Sequence, residues 1–318
     1  MKFSIQDISL VPQYGKLHSS TQAKLRPFIF PAPMDTVAGF DLCKAMLEQG
    51  ELAMVCRYLP TDWERCLEEL SLNQNCWFAL PALKGMQPYY DLVRKHNVKI
   101  NVAIDIAHGD SIVGKETIEW LRSQSWVNQI MSGSVCTWQG AQRNMLWGAN
   151  IIRVGVGNGA ACSTRVITGF GIPQASAIEE IANKTRAVIV ADGGIQNSGD
   201  AAKYLALGAH YIMLGNKLSK TTESAGWYEK NGRLTKRYRG QASNEFMTEV
   251  LGKFSAAAEG ASSQEFYPDS SVKDIIEHFK TGISRAISYA GVESLDELRG
   301  IPYVLNTESA YREGKPHV

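Results

Sequence analysis

Eight short apolar runs, each followed by polar or Gly-rich residues and then by a helix-period stretch, constrain this 318-residue chain more than any other feature. Rich in Val, Ile, Phe or Met, they fall at 28–32, 52–56, 77–80, 100–105, 129–132, 151–155, 188–191 and 211–214. Amphipathic segments at 40–49, 62–70, 88–96, 117–123, 139–147, 175–184 and 199–207 separate them. Such alternation is the pattern of a parallel sheet with crossover helices, and eight repeats predict an α/β chain closed as a (β/α)8 TIM barrel. A doubly wound open sheet also alternates, but it carries its Gly-rich dinucleotide fingerprint after the first strand. Here Pro33-Met-Asp-Thr36 follows the first run, and the glycine loop follows the sixth.

In a barrel the loops after the strands build the active site. The candidates are therefore Met34-Asp35-Thr36, Arg57-Tyr58, Asp105, Ser134, residues 157–165, Asp192-Gly193-Gly194 and Gly215-Asn216. The richest is Arg153-Val-Gly-Val-Gly-Asn-Gly-Ala-Ala-Cys-Ser-Thr-Arg165. Alternate glycines let the backbone turn its amides and carbonyls toward a ligand, and a thiol in an electropositive, amide-rich loop has the surroundings of a nucleophile. Cys162 is that thiol. Among the histidines, only His108 follows a strand end closely.

Lys plus Arg (33) and Asp plus Glu (32) nearly cancel, so no global field favours nucleic acid or a membrane surface. No run approaches the roughly 18 apolar residues of a membrane span, and the N-terminus lacks a secretory apolar core, so a cytoplasmic location is expected. The six cysteines contain no Cys-x-x-Cys pair, which argues against a zinc site or a disulfide framework. One domain over 1–318 accounts for the rhythm, with a break at 217–271 before the next strong helix at 272–289. Long irregular segments in compact domains are commonly active-site lids, and Asn231-Gly232 inside this one predicts a type I′ hairpin.

Six motifs occur in order: Pro33-Met-Asp-Thr-Val37, Ile104-Asp-Ile-Ala-His-Gly109, the Cys162 loop, Gly171-Ile-Pro-Gln174, Ala191-Asp-Gly-Gly194 and Met213-Leu-Gly215. Together they resemble the IMP dehydrogenase/GMP reductase family over about residues 3–299. The resemblance implies a purine nucleotide substrate, a nicotinamide cofactor and a homotetramer. It implies that Cys162 attacks C2 of the purine to give a thioimidate, that Asp192 accepts from the ribose hydroxyls, and that the amides of Gly193, Gly194, Gly215 and Asn216 hold the phosphate. Met34, Ser134, Gly159, Ala160, Gln241, Ala242 and Ser243 complete the implied substrate site. Asp105, Arg57 and Lys84 would face the cofactor, and Gly157 and Gly159 are where some relatives bind potassium.

Within the family the chain is closer to the reductases. No tandem CBS-type regulatory insert interrupts strands two to four, and about twenty positions from Gly240 to Glu259 are too few for the dehydrogenase flap. Ala256-Ala-Ala-Glu-Gly260 resembles the reductase segment that keeps a glutamate, here Glu259, which would work with Thr164 to protonate the departing amine. The implied reaction is NADPH-dependent conversion of GMP, or of a deoxy or modified guanine nucleotide, to the hypoxanthine nucleotide and ammonia. A short NAD-dependent IMP dehydrogenase and a catalytically inactive nucleotide-binding barrel are the alternatives. Departures from the family pattern fall at Ala160 (Ser in the family), Ser134 (Asn), Gln241 (Met), the 80–85 loop, and Ala256 and Ala258 (Arg and Ser). Lys217 and Lys220 are candidate substitutes at the phosphate.

Overall fold

The computed structural model describes residues 2–314. All eight apolar runs form strands of one parallel sheet: β1 (Ile29–Pro31), β2 (Ala53–Val55), β3 (Cys76–Leu80), β4 (Ile100–Ile104), β5 (Val127–Val135), β6 (Ile151–Val154), β7 (Val188–Asp192) and β8 (Tyr211–Leu214). From β2 onward each pairs with the next, β8 pairs back to β1, and the Leu52 amide reaches the Ile29 carbonyl at 3.3 Å across the seam between β1 and β2. The expected barrel is thus the observed architecture. Helices α1 (Phe40–Glu48), α2 (Pro60–Leu70), α3 (Gln87–His96), α4 (Ile112–Arg122), α5 (Trp138–Trp147), α6 (Gln174–Lys184), α7 (Ser198–Ala206) and α8 (Val272–Tyr289) surround it. α8 packs against both α7 and α1, which completes the outer ring.

The strands read as unbroken apolar runs because both faces are covered. Phe30, Met54, Trp77, Ala103, Met131, Ile151, Val190 and Met213 fill the barrel interior, while their strand neighbours face the helices. Polar caps set several helix starts: Ser111, Thr137, Asn197 and Ser271 each accept a backbone N–H of the following turn. α4 begins five residues before the expected 117, because Ser111 caps it there while the exposed Ile112 and Val113 blur the amphipathic pattern.

The hairpin forms as its turn residues dictate. Strands β9 (Trp227–Lys230) and β10 (Arg233–Tyr238) flank Asn231 at φ 51° and Gly232 at φ 74°, the two positive values a type I′ turn requires. A third strand, β11 (Gln264–Phe266), adds to β10, which the sequence pattern did not suggest. Buried Lys236 fastens this sheet to the barrel, donating to the carbonyls of Thr221, Thr222 and Ser224 at 2.6–2.9 Å. Burial pushes its pKa down to about 8.

Glu51 is a second buried anchor. One carboxylate oxygen accepts from the amides of Phe28 and Ile29 at 2.8 and 3.0 Å, and the other lies 3.2 Å from Lys280 of α8. Burial raises its pKa despite these partners. Glu51→Ala leaves two buried amides at the entry to β1 without their acceptor and removes the carboxylate beside Lys280, which still donates to the Gln49 carbonyl. A loss of about 2–4 kcal/mol is expected, from about 1–3 kcal/mol for each buried donor left unsatisfied. Urea denaturation at neutral pH checks it through the transition midpoint.

Candidate active site

A cavity of about 1230 Å³ opens at the C-terminal ends of the strands, where loops after β1, β2, β4, β5, β6 and β7 meet the segment after β8. On the β6 side the chain turns through Gly155 and Gly157, both at positive φ, into the turn where the Cys162 amide donates to the Gly159 carbonyl at 3.0 Å. Cys162 is exposed, and its sulfur lies 3.1 Å from the Thr164 hydroxyl. Asn158 and Gln174 both donate side-chain amides to the Asp192 carbonyl, at 2.8 and 3.1 Å, tying the end of β7 to the β6 loop. Arg165 donates its guanidinium to the carbonyls of Val156 and Ile172 and fills the inner side of this loop.

The segment after β8 folds back over that loop through a single antiparallel bridge. The Ser163 amide donates to the Glu259 carbonyl at 2.8 Å and the Ala261 amide to Ala161 at 2.9 Å, while the Gly260 amide reaches Ala242 at 3.1 Å. Gly260 forms a bridge with Cys162. The approach is too close for side chains: a Cβ on Gly240 would lie 2.6 Å from the Ala161 carbonyl oxygen, and one on Gly260 would lie 2.5 Å from the Ser243 amide. Glycine therefore permits Glu259 and Gln241 to line the cavity that Cys162 and Thr164 also line.

Across the floor of the mouth runs a row of alternating charges. Arg57 donates to Asp105 at 3.0 Å, Arg153 lies 3.7 Å from the other Asp105 oxygen and 3.4 Å from Asp192, and Arg153 also donates to Ser134 at 3.2 Å. Arg153 is 7% exposed. Burial raises the pKa of Asp192, and the Arg153 guanidinium beside it opposes that rise. Arg153 entered the sequence reading only as the first residue of the glycine loop. A charge inside Ile151-Ile-Arg-Val154, a strand covered on both faces, is the signal that could have singled it out. Tyr238 was also missed; it lines the cavity beside Gly215 at the end of β10.

Of the expected site residues, Met34, Arg57, Asp105, Ser134, Gly157, Gly159, Cys162, Thr164, Asp192, Gln241, Ala242 and Glu259 line this one cavity, and so does His108. Gly193, Gly194, Gly215 and Asn216 stand behind it at the ends of β7 and β8, with Gly193 and Gly194 at positive φ. Ala160 is exposed on the loop next to the lining. Lys84 and Ser243 are not part of the lining: Lys84 is exposed on a short turn, and the Ser243 hydroxyl caps the helix Asn244–Leu251 by accepting from Phe246. Tyr58 and Ile106, after β2 and β4, and Phe170, from the loop after β6, give the cavity apolar walls.

The sequence model of the IMP dehydrogenase / GMP reductase domain matches residues 85–317. GMP reductase 1 of Homo sapiens is 30% identical over 94% of this chain and 93% of its own length. GMP reductase of Aliivibrio fischeri is 30% identical over 94% and 92%. The inosine-5'-monophosphate dehydrogenase of Halalkalibacterium halodurans is 34% identical, over 68% of this chain but only 47% of its own length.

Proposed function

Since the chain belongs to the IMP dehydrogenase/GMP reductase family, we propose that it reduces a guanine nucleotide to the hypoxanthine nucleotide and ammonia with a reduced nicotinamide cofactor. The observation that carries this reading is the backbone bridge of 259–261 on 161–163, with Glu259, Thr164 and Cys162 lining the cavity that Asp192 also lines. The Cys162 sulfur forms a bond to C2 of the base. The C2–N bond then breaks, the Thr164–Glu259 pair supplies a proton to the departing amine, and the sulfur remains on C2 as a thioimidate. When bound, the reduced cofactor supplies the hydride that C2 accepts as the C–S bond opens. Atoms and electrons balance with one cofactor oxidised per ammonia released.

Asp192 holds the ribose, and the amides of Gly193, Gly194, Gly215 and Asn216 hold the phosphate. Ala160 provides no hydroxyl there, and the Tyr238 hydroxyl, on the cavity wall beside Gly215, takes its place. Arg57 serves the cofactor side through Asp105, and the segment 217–271 acts as the lid of a single barrel domain. No step is assigned to potassium. NADPH is the expected cofactor, and a homotetramer the expected assembly.

Incubation with NADPH and GMP or dGMP should give falling absorbance of the reduced cofactor together with stoichiometric ammonia. The second reading, IMP oxidation, rests on the 34% identity to the dehydrogenase and would appear as NAD-dependent XMP formation. Nucleotide-induced thermal stabilisation without turnover in either direction would leave a binding barrel and overturn both.

A further inference from the structure

Outside the mouth, α2 and α3 pack side by side on the barrel surface. Glu64 and Glu68 are four residues apart on α2 and so share one face, which meets His96 at the end of α3. His96 Nε2 lies 3.5 Å from Glu64 Oε1 and 3.7 Å from Glu68 Oε1, and all three donor atoms fall within 4.8 Å of one another. The His96 side chain is 18% exposed, and Nε2 itself is buried without a hydrogen bond. Its neighbours are the two carboxylate oxygens, at separations longer than an ordinary hydrogen bond, so the three donor atoms face one shared point.

The spacing suits a metal ion. Nitrogen and oxygen donors about 2.0–2.2 Å from a tetrahedral zinc stand roughly 3.4 Å apart, close to the two separations here. We infer that Glu64, Glu68 and His96 bind one divalent transition cation of the zinc type on the outer face of the barrel, with water as the fourth ligand. The Lys95 ammonium, 2.8 Å from Glu64 Oε1, is the internal competitor. It is 64% exposed, so it turns out to solvent when the metal enters.

A metal at this point ties α2 to α3. α2 follows directly from Arg57 and Tyr58, and Tyr89 of α3 donates to the Arg57 carbonyl at 2.8 Å. The clamp therefore stiffens the wall that carries Arg57 without entering the cavity, and binding only the folded chain raises its stability. The plainer arrangement, an imidazole held between two carboxylates, needs no metal and is what the test separates.

Zinc titration followed by calorimetry and thermal unfolding is expected to show one ion per chain and a raised Tm, both retained in Cys162→Ser. His96→Gln and Glu68→Gln should each weaken binding at least about a hundredfold and abolish the Tm rise. Glu68 is exposed, so its variant reports even if His96→Gln fails to fold. Absence of zinc binding, unchanged affinity in Glu68→Gln, or loss of binding in Cys162→Ser overturns the site. None of these readouts depends on which nucleotide the enzyme turns over.

Discussion

Cys162→Ala is expected to lower kcat by roughly four orders of magnitude or more while leaving nucleotide affinity within a few-fold of the parent. Removal of a covalent nucleophile costs about this much in other enzymes, because the remaining groups bind the substrate but cannot divide the substitution into two steps. Affinity survives because the sulfur is one atom on the wall, whereas Asp192 and the glycine amides belong to β7, β8 and their loops. Single-turnover cofactor oxidation measures the chemistry and nucleotide-induced thermal shift measures binding. A variant that retains a tenth of the parent's rate would remove Cys162 from the mechanism, whereas a variant that loses both turnover and binding would point to a collapsed loop. The second result is not expected: Cys162 is exposed, and its loop is held by main-chain bonds from 159, 259 and 261.

The barrel was legible because every strand is buried on both faces and so reads as a continuous apolar run. α8 was legible because Ser271 and Asp274 form a capping box ahead of an amphipathic stretch. Elements made by long-range pairing were not. β11 has no apolar signature, since Gln264, Glu265 and Phe266 are held by the register Lys236↔Phe266 and Arg237↔Glu265. The same holds for strand Ile8–Leu10, which pairs with Tyr303–Leu305. At the site, residues on loops directly after strands could be found by position alone. Glu259 lies far along the chain from β8, and the resemblance located it; its backbone seat against Ser163 became visible only in the fold. Arg57 was expected to face the cofactor; it lines the cavity, and the partner of its guanidinium there, Asp105, is visible only in the fold.

Arg153→Met should be the most damaging change outside the reacting groups, and its signature is a shift in pH dependence. The guanidinium stands between Asp105 and Asp192, and methionine fills similar space with no charge. Burial already raises the Asp192 pKa, and Arg153 holds it down, so removing Arg153 raises it further. In the proposed reaction Asp192 accepts from the ribose hydroxyls, which needs the carboxylate form. The acidic limb of kcat/KM therefore moves to higher pH in the variant, and at neutral pH kcat/KM drops by about two orders of magnitude, the scale of a lost buried charge pair. Stability follows the opposite course with pH. A carboxyl whose folded pKa exceeds its unfolded value binds its proton more tightly in the folded state, so its stabilising contribution is present at low pH and is lost as pH rises through the folded pKa. The variant's Tm deficit should accordingly be largest above that raised pKa and shrink on acidification. An acidic limb that stays in place, with a uniform fall in kcat, would mean that Arg153 acts on the reacting atoms and not through Asp192.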